Sequence, residues 1–274
     1  MNATLVNPSI PSLTEPVFQR RPVDRLIAPL EEAAGRAGHY LQRVAKAHGK
    51  DAGPMPRYLY LGARGGGDVI RLGIFATIHG DEPEGALALS RFVTLLEQNP
   101  DIARGYALFL YPVCNPTGFE DGTRHSRSGK DLNREFWKQS EEPEIRFLET
   151  EIWTHAFNGI ITLHADDTSR GVYGYVNGAV LSENLLEPAL RSAEKFLPRN
   201  RRRVIDGFPA KNGIIYHSFD GVLRSVPGLN PPPFELTLET PQKYPLHLQV
   251  EAFAAALQTI LVEYRYLMAV AQNI

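Results

Sequence analysis

Apolar runs that predict buried strands alternate along this chain with segments whose apolar residues recur every three or four positions, as on one face of a helix. Strands are predicted over 72–78, 106–114, 159–165 and 233–240. Helices are predicted over 22–48, 82–100, 142–156, 183–197 and 246–271. Because strands and helices alternate without repeats or low-complexity linkers, the pattern indicates a layered α/β fold.

Two stretches near the start of the chain complete this organisation. Residues 1–21 are rich in Pro, Asn and Ser and are expected to form an irregular arm, and 22–274 are expected to form a single domain. The stretch 57–78, "RYLYLGARGGGDVIRLGIFATI", is expected to form two strands joined by a glycine-rich hairpin connection. The glycines at 65–67 do not predict a phosphate loop, because no Lys-Ser/Thr pair and no helix follow them.

Composition and charge are those of an ordinary globular protein and exclude several classes of function. The 274 residues are 43% apolar and 22% charged, and a net charge of −2 gives no reason to expect a nucleic-acid partner. The basic cluster at 198–204 is expected to be a solvated surface. One cysteine, Cys114, excludes an intramolecular disulfide and a cysteine-based metal cage. With no signal peptide and no membrane-spanning apolar run, we expect a cytoplasmic location and no membrane partner.

Two histidines end predicted strands. His79 follows the apolar run 72–78, with Asp81 a plausible N-cap of the next helix and Glu82 three positions after the histidine, and His164 ends "GIITLHA". Ligands collect at such strand ends in α/β sheets. Two imidazoles and one carboxylate are a standard ligand set for catalytic zinc, where bound water has a pKa of about 7. The alternative is that either histidine is a hydrogen-bonded core residue.

Five short motifs, in order, resemble those of the M14 family of zinc carboxypeptidases and its relatives, the succinylglutamate desuccinylase and aspartoacylase deacylases. They are H-x-x-E in "IHGDE", N-P-x-G in "NPTGF", D-x-N-R in "DLNR", a strand-end His in "TLHA" and a strand-borne Glu before "TP". They span residues 72–241. Each is weak alone, but five in order argue against coincidence. The resemblance implies a three-layer, zinc-exopeptidase-like fold in which helices flank a mixed central sheet.

The resemblance also implies a metal centre. His79, Glu82 and His164 would be the ligands of one Zn²⁺ per chain. Asp131 of "DLNR" would be the carboxylate that orients a ligand histidine, a partner that such sites commonly have.

Substrate-binding residues follow from the same motifs. Asn133 and Arg134 would hold a substrate carboxylate, which a planar guanidinium suits by bidentate pairing. Arg124 would polarise the scissile carbonyl and stabilise the oxyanion. Arg127 competes for that role, although Arg124 better fits the spacing before "DLNR". Tyr216, upstream of the last strand, could lie over the substrate, but nothing local fixes it there.

The general base is one of two glutamates on the strand 233–240. Glu235 and Glu239 lie four positions apart, so they share one face of the strand at a separation of about 13 Å, and only one is expected to reach the metal-bound water. Glu239 lies at the strand end and fits the family placement, so we predict it as the catalytic base, with Glu235 as the alternative. Residues 166–178 are expected either to line the site or to form an ordinary loop.

Three functions remain open at this point. The first is a zinc-dependent metallocarboxypeptidase or peptide amidase that acts on a small peptide. The second is a deacylase of an N-acyl amino acid with the same metal, base and carboxylate clamp. The third is a catalytically inactive metal-binding protein of the same fold, against which the intact ligand set and Glu239 argue.

Overall fold

The structure is a computed structural model, and it describes residues 21–36, 41–47, 54–216 and 222–271. The helices are α1 Val23–Arg36, α2 Glu84–Gln98, α3 Pro116–Asp121, α4 Pro143–His155, α5 Ala179–Leu181, α6 Glu187–Ala193 and α7 Leu246–Ala271. The strands are β1 Leu41–Ala47, β2 Met55–Leu61, β3 Ile70–Ala76, β4 Tyr106–Tyr111, β5 Gly159–Asp166, β6 Tyr173–Val176, β7 Val204–Ile205, β8 Phe208–Lys211, β9 Ile214–Ile215 and β10 Phe234–Pro241. Short 3-10 turns cover Pro100–Ala103 and Leu132–Arg134, and one π-helical turn covers Ser182–Leu186.

The strands form one mixed sheet in the order β1-β2-β4-β3-β5-β10-β6-β9-β8-β7. Its centre is parallel, because β4, β3, β5 and β10 run in the same direction. β2 and β6 flank this centre and run antiparallel to it. The predicted α/β fold with a mixed central sheet is therefore confirmed, and the carboxyl ends of β3, β5 and β10 meet at one edge of the sheet.

Helices cover both faces of the sheet. On one face, α1, α2, α6 and α7 pack on strand residues such as Leu72 and Ile74. On the other face, α4 packs on residues that alternate with them, such as Phe75. Alternation of this kind is what a strand buried on both sides produces. No helix in the described ranges is long and apolar enough to cross a membrane.

The first predicted helix is too long. α1 ends at Arg36, and residues 41–47, which were expected to continue it, form strand β1. Leu41 is paired with Tyr60 of β2 in an antiparallel register, whereas Tyr40 lies outside the described residues. The apolar spacing does continue past Arg36, but glycines at 35 and 38 weaken a helix there, and an available sheet edge takes the segment instead.

The predicted hairpin over 57–78 is also wrong. β2 and β3 are both present, but they do not pair, because β4 lies between them. The glycine-rich connection crosses the turn that leads into β4. A Cβ at Gly62 would lie 1.7 Å from the Ala103 carbonyl oxygen, and one at Gly65 would lie 3.1 Å from Gly105 Cα. The glycines are therefore explained by this close crossing rather than by a two-strand turn.

The start of α2 also differs from the prediction. The helix begins at Glu84 with Pro83 at the N-cap, so Asp81 is not the capping residue. Residues 79–82 form a separate turn in which the Glu82 amide donates to the His79 carbonyl oxygen at 3.1 Å. Gly80 of this turn packs on α3 so tightly that a Cβ would lie 2.0 Å from the Gly118 carbonyl carbon. The turn brings the side chains of His79 and Glu82 into contact.

The predicted arm 1–21 lies almost entirely outside the described residues, and the single-domain organisation of 22–274 stays a prediction. Most of the other predicted elements are present. The predicted helices 142–156 and 246–271 correspond to α4 and α7, and the predicted strands at 106–114, 159–165 and 233–240 correspond to β4, β5 and β10. The segment 183–197 is helical only in part, as a π-helical turn followed by α6.

Candidate metal and active site

Three buried side chains meet at the carboxyl ends of β3 and β5. His79 and Glu82 come from the turn after β3, and His164 lies in the last part of β5. All three are nearly inaccessible, with exposures of 4%, 5% and 4%. The parallel pairing of β3 with β5 explains the meeting, because parallel neighbours end at the same sheet edge.

The ligand atoms of this trio converge. His79 Nδ1 lies 2.7 Å from Glu82 Oε1, and His164 Nδ1 lies 3.1 Å from Glu82 Oε2. The two Nδ1 atoms are 3.3 Å apart. One ligand atom from each residue therefore lies within 4.8 Å of the others, which is compact enough for all three to hold one metal ion.

Asp131 lies behind His79. Its Oδ1 is 3.4 Å from His79 Nε2, a buried nitrogen without a hydrogen bond, and Oδ2 accepts from Arg124 Nε and Nη2 at 3.2 and 3.1 Å. Burial opposes ionisation of Asp131, but His79 and Arg124 outweigh it and lower its pKa. This geometry leaves Nδ1 of His79 for a metal and Nε2 for a carboxylate, as a metal-binding histidine requires.

The protonation states suit metal binding. Burial would raise the pKa of Glu82, but hydrogen bonds from His164 and His79 lower it to about 2. Burial lowers the pKa of His164 despite the adjacent Glu82. For His79, burial is outweighed by Asp131 and Glu82, which raise its pKa. Glu82 is therefore a carboxylate and His164 a neutral imidazole near pH 7, the forms in which both bind metals.

Glu239 stands beside the trio. It is paired with His164 on β5 and with Tyr173 on β6. Its carboxylate makes no hydrogen bond within the described part of the chain. Burial, followed by the negative charges of Glu82 and Asp166, raises its pKa well above the usual value. A partly buried carboxylate with a raised pKa and no partner is typical of a proton-transfer group.

Glu235 is in a different situation on the same strand face. It is paired with Ile160, four residues further from the sheet edge. Its Oε1 accepts from the Ser225 amide at 2.8 Å and from Ser225 Oγ at 2.5 Å. Both glutamates line the same cavity, but Glu235 is already satisfied by Ser225.

The cavity has a volume of about 450 Å³, and Arg124, Asn133 and Arg134 line it together with the trio. Arg124 Nη1 lies 3.7 Å from Glu82 Oε1. The competing Arg127 instead pairs with Asp121 at 2.8 Å and Glu120 at 3.1 Å. The geometry thus favours Arg124 over Arg127 for the position beside the His-Glu-His trio.

The segment 166–178 does contribute to the cavity wall, through residues that include Asp166, Tyr173 and Tyr175. Tyr173 is buried, and its hydroxyl lies 3.0 Å from Asp166 Oδ2 and 2.8 Å from Asp206 Oδ2. Tyr216 is 52% exposed and is not among the lining residues, although Ile215 before it is. The expected position of Tyr216 over the substrate is therefore not supported by its place outside the cavity.

Arg224 is a cavity residue that sequence reasoning missed. Three hydrogen bonds fix the backbone around it: the Leu223 amide donates to Asn133 Oδ1 at 2.8 Å, Trp137 Nε1 donates to the Arg224 carbonyl oxygen at 3.1 Å, and Ser225 donates to Glu235. These partners are distant in sequence, so no local pattern around Arg224 could have identified it.

The chain is similar to known proteins both in sequence family and in fold. Residues 68–200 match the family model of the succinylglutamate desuccinylase/aspartoacylase catalytic domain. No curated protein matched the sequence significantly. A provisionally assigned metallopeptidase of Shewanella denitrificans OS217 has a TM-score of 0.73 and 23% identity, covering 88% of this chain and 89% of that chain.

Two further solved structures are similar. A provisionally assigned metallopeptidase of Shewanella baltica OS155 has a TM-score of 0.70 and 25% identity, with coverage of 88% and 91%. A metallo-carboxypeptidase of Pseudomonas aeruginosa, solved with (2-guanidinoethylmercapto)succinic acid, has a TM-score of 0.66 and 18% identity, with coverage of 87% and 68%.

The fold and the family match agree with the sequence analysis. The resemblance inferred from the five motifs is confirmed: the chain has a carboxypeptidase-like fold, and residues 68–200 match the family model of the succinylglutamate desuccinylase/aspartoacylase catalytic domain. Together with the buried His-Glu-His trio, the comparisons support a metallohydrolase of this superfamily.

Proposed function

We propose that this chain is a zinc-dependent hydrolase that cleaves an amide bond in a small, carboxylate-bearing substrate, as a metallocarboxypeptidase or peptide amidase. The observation that carries the proposal is the convergence of His79, Glu82 and His164 beside Glu239, whose carboxylate has no hydrogen-bond partner among the described residues, in a cavity that also holds arginines. A cytoplasmic location, predicted from the sequence, remains part of the proposal.

His79, Glu82 and His164 would hold the metal. Zinc in catalytic sites prefers three protein ligands drawn from histidine and carboxylate, and these residues supply two imidazole nitrogens and one carboxylate oxygen. A bound Zn²⁺ would supply Lewis-acid activation of water and of the substrate carbonyl. Asp131 would keep His79 in the tautomer that presents Nδ1 to the ion.

Glu239 would move the protons. Its carboxylate would accept a proton from the attacking water and donate it to the nitrogen of the leaving amine as the amide bond breaks. Its position in register with His164 brings it to the same sheet edge as the trio. Its lack of any hydrogen bond within the described residues leaves both carboxylate oxygens available for this transfer.

The arginines and Asn133 would bind and stabilise the negatively charged groups of the substrate. Arg124 is within 3.7 Å of Glu82 and would stabilise the negative charge that develops on the carbonyl oxygen. Asn133 and Arg134 would bind the substrate carboxylate. The dicarboxylate bound to the related Pseudomonas enzyme supports a pocket of this chemical character.

Arg224 favours a second candidate function. A further cavity arginine, held by three anchors, could bind a second carboxylate of the substrate. An N-acylated acidic amino acid carries such a group, and the matching family model describes deacylases of this kind. The alternative proposal is therefore a zinc-dependent deacylase of an N-acyl amino acid.

A substrate panel tests both proposals. Protein purified with a chelator and then supplied with zinc should hydrolyse members of either a dipeptide series or an N-acyl amino acid series. Preference for N-acyl aspartate or glutamate that disappears in Arg224→Ala would favour the deacylase. Absence of zinc binding on titration, or no hydrolysis of any panel member by the zinc-loaded protein, would overturn the proposed function.

A further inference from the structure

The strand that carries Glu239 and the turn that carries His79 and Glu82 are not neighbours in the sheet. β5 lies between β3 and β10. Two strand spacings, about 9–10 Å, therefore separate β3 from β10, and no ladder hydrogen bond joins them. The ladders that both strands form with β5 set the spacing of the strands, and the Ala165 amide of β5 donates to Glu82 Oε2 at 3.0 Å. The turn 79–82 lies beyond the last ladder pair, so its position relative to the end of β10 depends in addition on any direct contact between the two.

Gln242 makes a link of this kind across the end of β5. Its backbone amide donates to the Asp166 carbonyl oxygen at 3.0 Å. Its side-chain Nε2 donates to the Asp81 carbonyl oxygen at 3.1 Å. Asp81 lies between His79 and Glu82, so this bond ties the ligand turn to the segment that follows β10. Within the described ranges, no other hydrogen bond joins the turn 79–82 to that segment.

Gln249 holds the segment that carries Gln242. Its Oε1 accepts from Thr240 Oγ1 at 2.8 Å, and its Nε2 donates to the Gln242 and Tyr244 carbonyl oxygens at 3.2 and 2.8 Å. These three bonds use both amide hydrogens and the amide oxygen. Gln249 is 1% exposed and does not line the cavity.

The position of Gln249 in α7 is unusual for a polar side chain. The other buried residues of this helix are Ala252, Phe253, Ala254, Ala256, Leu257, Ile260 and Leu261. An apolar residue would satisfy the helix pattern, and a buried amide is favourable only when its hydrogen bonds are made. Gln249 makes all of them with the segment 240–244, directly after Glu239.

We propose that Gln242 and Gln249 are positioning residues that set the distance between Glu239 and the turn bearing His79 and Glu82. This inference rests on the proposed function, in which Glu239 is the general base. Because the carboxylate of Glu239 makes no hydrogen bond within the described part of the chain, the backbone of β10 and the segment after it determine where that carboxylate lies. A displacement of about 1 Å in such a group can lower the rate about 10²-fold.

Two variants and one matched control test the proposal. Gln242→Ala removes the bond to Asp81, and Gln249→Glu keeps the shape but loses both donors. Thr259→Val is the control, because Thr259 lies on the same helix and its hydroxyl bonds Ser192 at 2.7 Å, away from the cavity. Each glutamine variant should lower kcat about ten- to a hundredfold while the zinc dissociation constant stays near wild type. Gln249→Glu, which lies outside the cavity that Gln242 helps to line, should also leave KM near wild type. Thr259→Val should change only the unfolding temperature.

A double-mutant comparison separates positioning from general destabilisation. Adding Gln242→Ala or Gln249→Glu to Glu239→Gln should cause no further loss of kcat, because the base they position is gone. In metal-free protein, Gln242→Ala should accelerate amide hydrogen exchange in the peptide that contains 79–84, and Thr259→Val should not.

Three results would overturn the inference: the same fold-loss of kcat in the Glu239→Gln background, a rise in KM with unchanged kcat, or loss of zinc binding in the glutamine variants. Failure of the proposed function would look different. In that case wild-type protein would not bind zinc, or Glu239→Gln alone would leave turnover intact.

Discussion

Replacing Glu239 by glutamine is the most direct test of the proposed chemistry. The change keeps the size of the side chain but removes its ability to accept a proton. Glu239 is not proposed as a metal ligand, so zinc should remain bound. General acid–base catalysis contributes roughly 10²–10⁴-fold to rate, so kcat should fall by at least that factor. This corresponds to about 3–5 kcal/mol of transition-state stabilisation.

Glu235→Gln is the matched comparison on the same strand. Glu235 lies about 13 Å from Glu239 along β10 and accepts two hydrogen bonds from Ser225. Glutamine keeps an oxygen that can accept from the Ser225 amide, so the loop 222–225 should remain in place. The expected loss is that of a weakened charged hydrogen bond, about 1 kcal/mol in stability, with kcat nearly unchanged.

The assay is steady-state hydrolysis of any substrate that the wild type accepts, with zinc content measured on the same samples. Loss of turnover in Glu239→Gln with a full complement of zinc supports the assignment. If Glu235→Gln is inactive and Glu239→Gln is active, the assignment of the base is wrong. Loss of zinc from Glu239→Gln would instead show that Glu239 belongs to the metal site.

The remaining predictions concern the groups around the metal and the substrate. Asp131→Ala should weaken zinc binding roughly 10–100-fold in a chelator-competition titration, and an unchanged dissociation constant would contradict its orienting role. Arg134→Ala should raise KM at least tenfold for a substrate with a free carboxylate, because a hydrogen bond between charged groups is worth about 1.5–3 kcal/mol. It should not raise KM for the same substrate with that carboxylate amidated, and equal losses on both substrates would argue against carboxylate binding by Arg134. Burial is the main cause that raises the pKa of Glu84 from 4.5 to about 7 in the folded protein. The contribution of protonated Glu84 to folding stability is therefore complete below pH 4.5 and is lost as the pH rises through 7, a loss of about 3 kcal/mol. Urea unfolding of chelated protein should therefore show a flatter pH dependence between 4.5 and 8 for Glu84→Gln, and parallel curves for variant and wild type would refute this.

The three side chains of the candidate metal site could be selected from the sequence because the relevant signals are local. His79 and His164 each follow an apolar run, and Glu82 is three positions from His79. The parallel strands β3 and β5 then bring both histidines to one sheet edge, where ligands of α/β sheets collect. Strand alternation also correctly gave Glu235 and Glu239 the same face.

The errors came where the structure is decided by distant partners. Whether 41–47 extends α1 or joins β2 depends on a free sheet edge, which no local spacing reveals. The strands around 62–69 are separated by β4, a segment that comes about 40 residues later. Arg224 faces the cavity because Asn133, Trp137 and Glu235 hold its loop. Propensity and periodicity do not contain this information.

The two glutamates of β10 are distinguished by their hydrogen bonds and not by their positions. Both are on the cavity face of one strand, so alternation cannot distinguish them. Glu235 has its charge compensated by the Ser225 amide and hydroxyl, and that pairing holds the loop bearing Arg224. Glu239 has no such partner in the described chain, although burial and Glu82 raise its pKa. A partly buried carboxylate is costly unless it is paired, so an unpaired one beside the candidate metal-binding trio supports the proposed role of Glu239 in proton transfer.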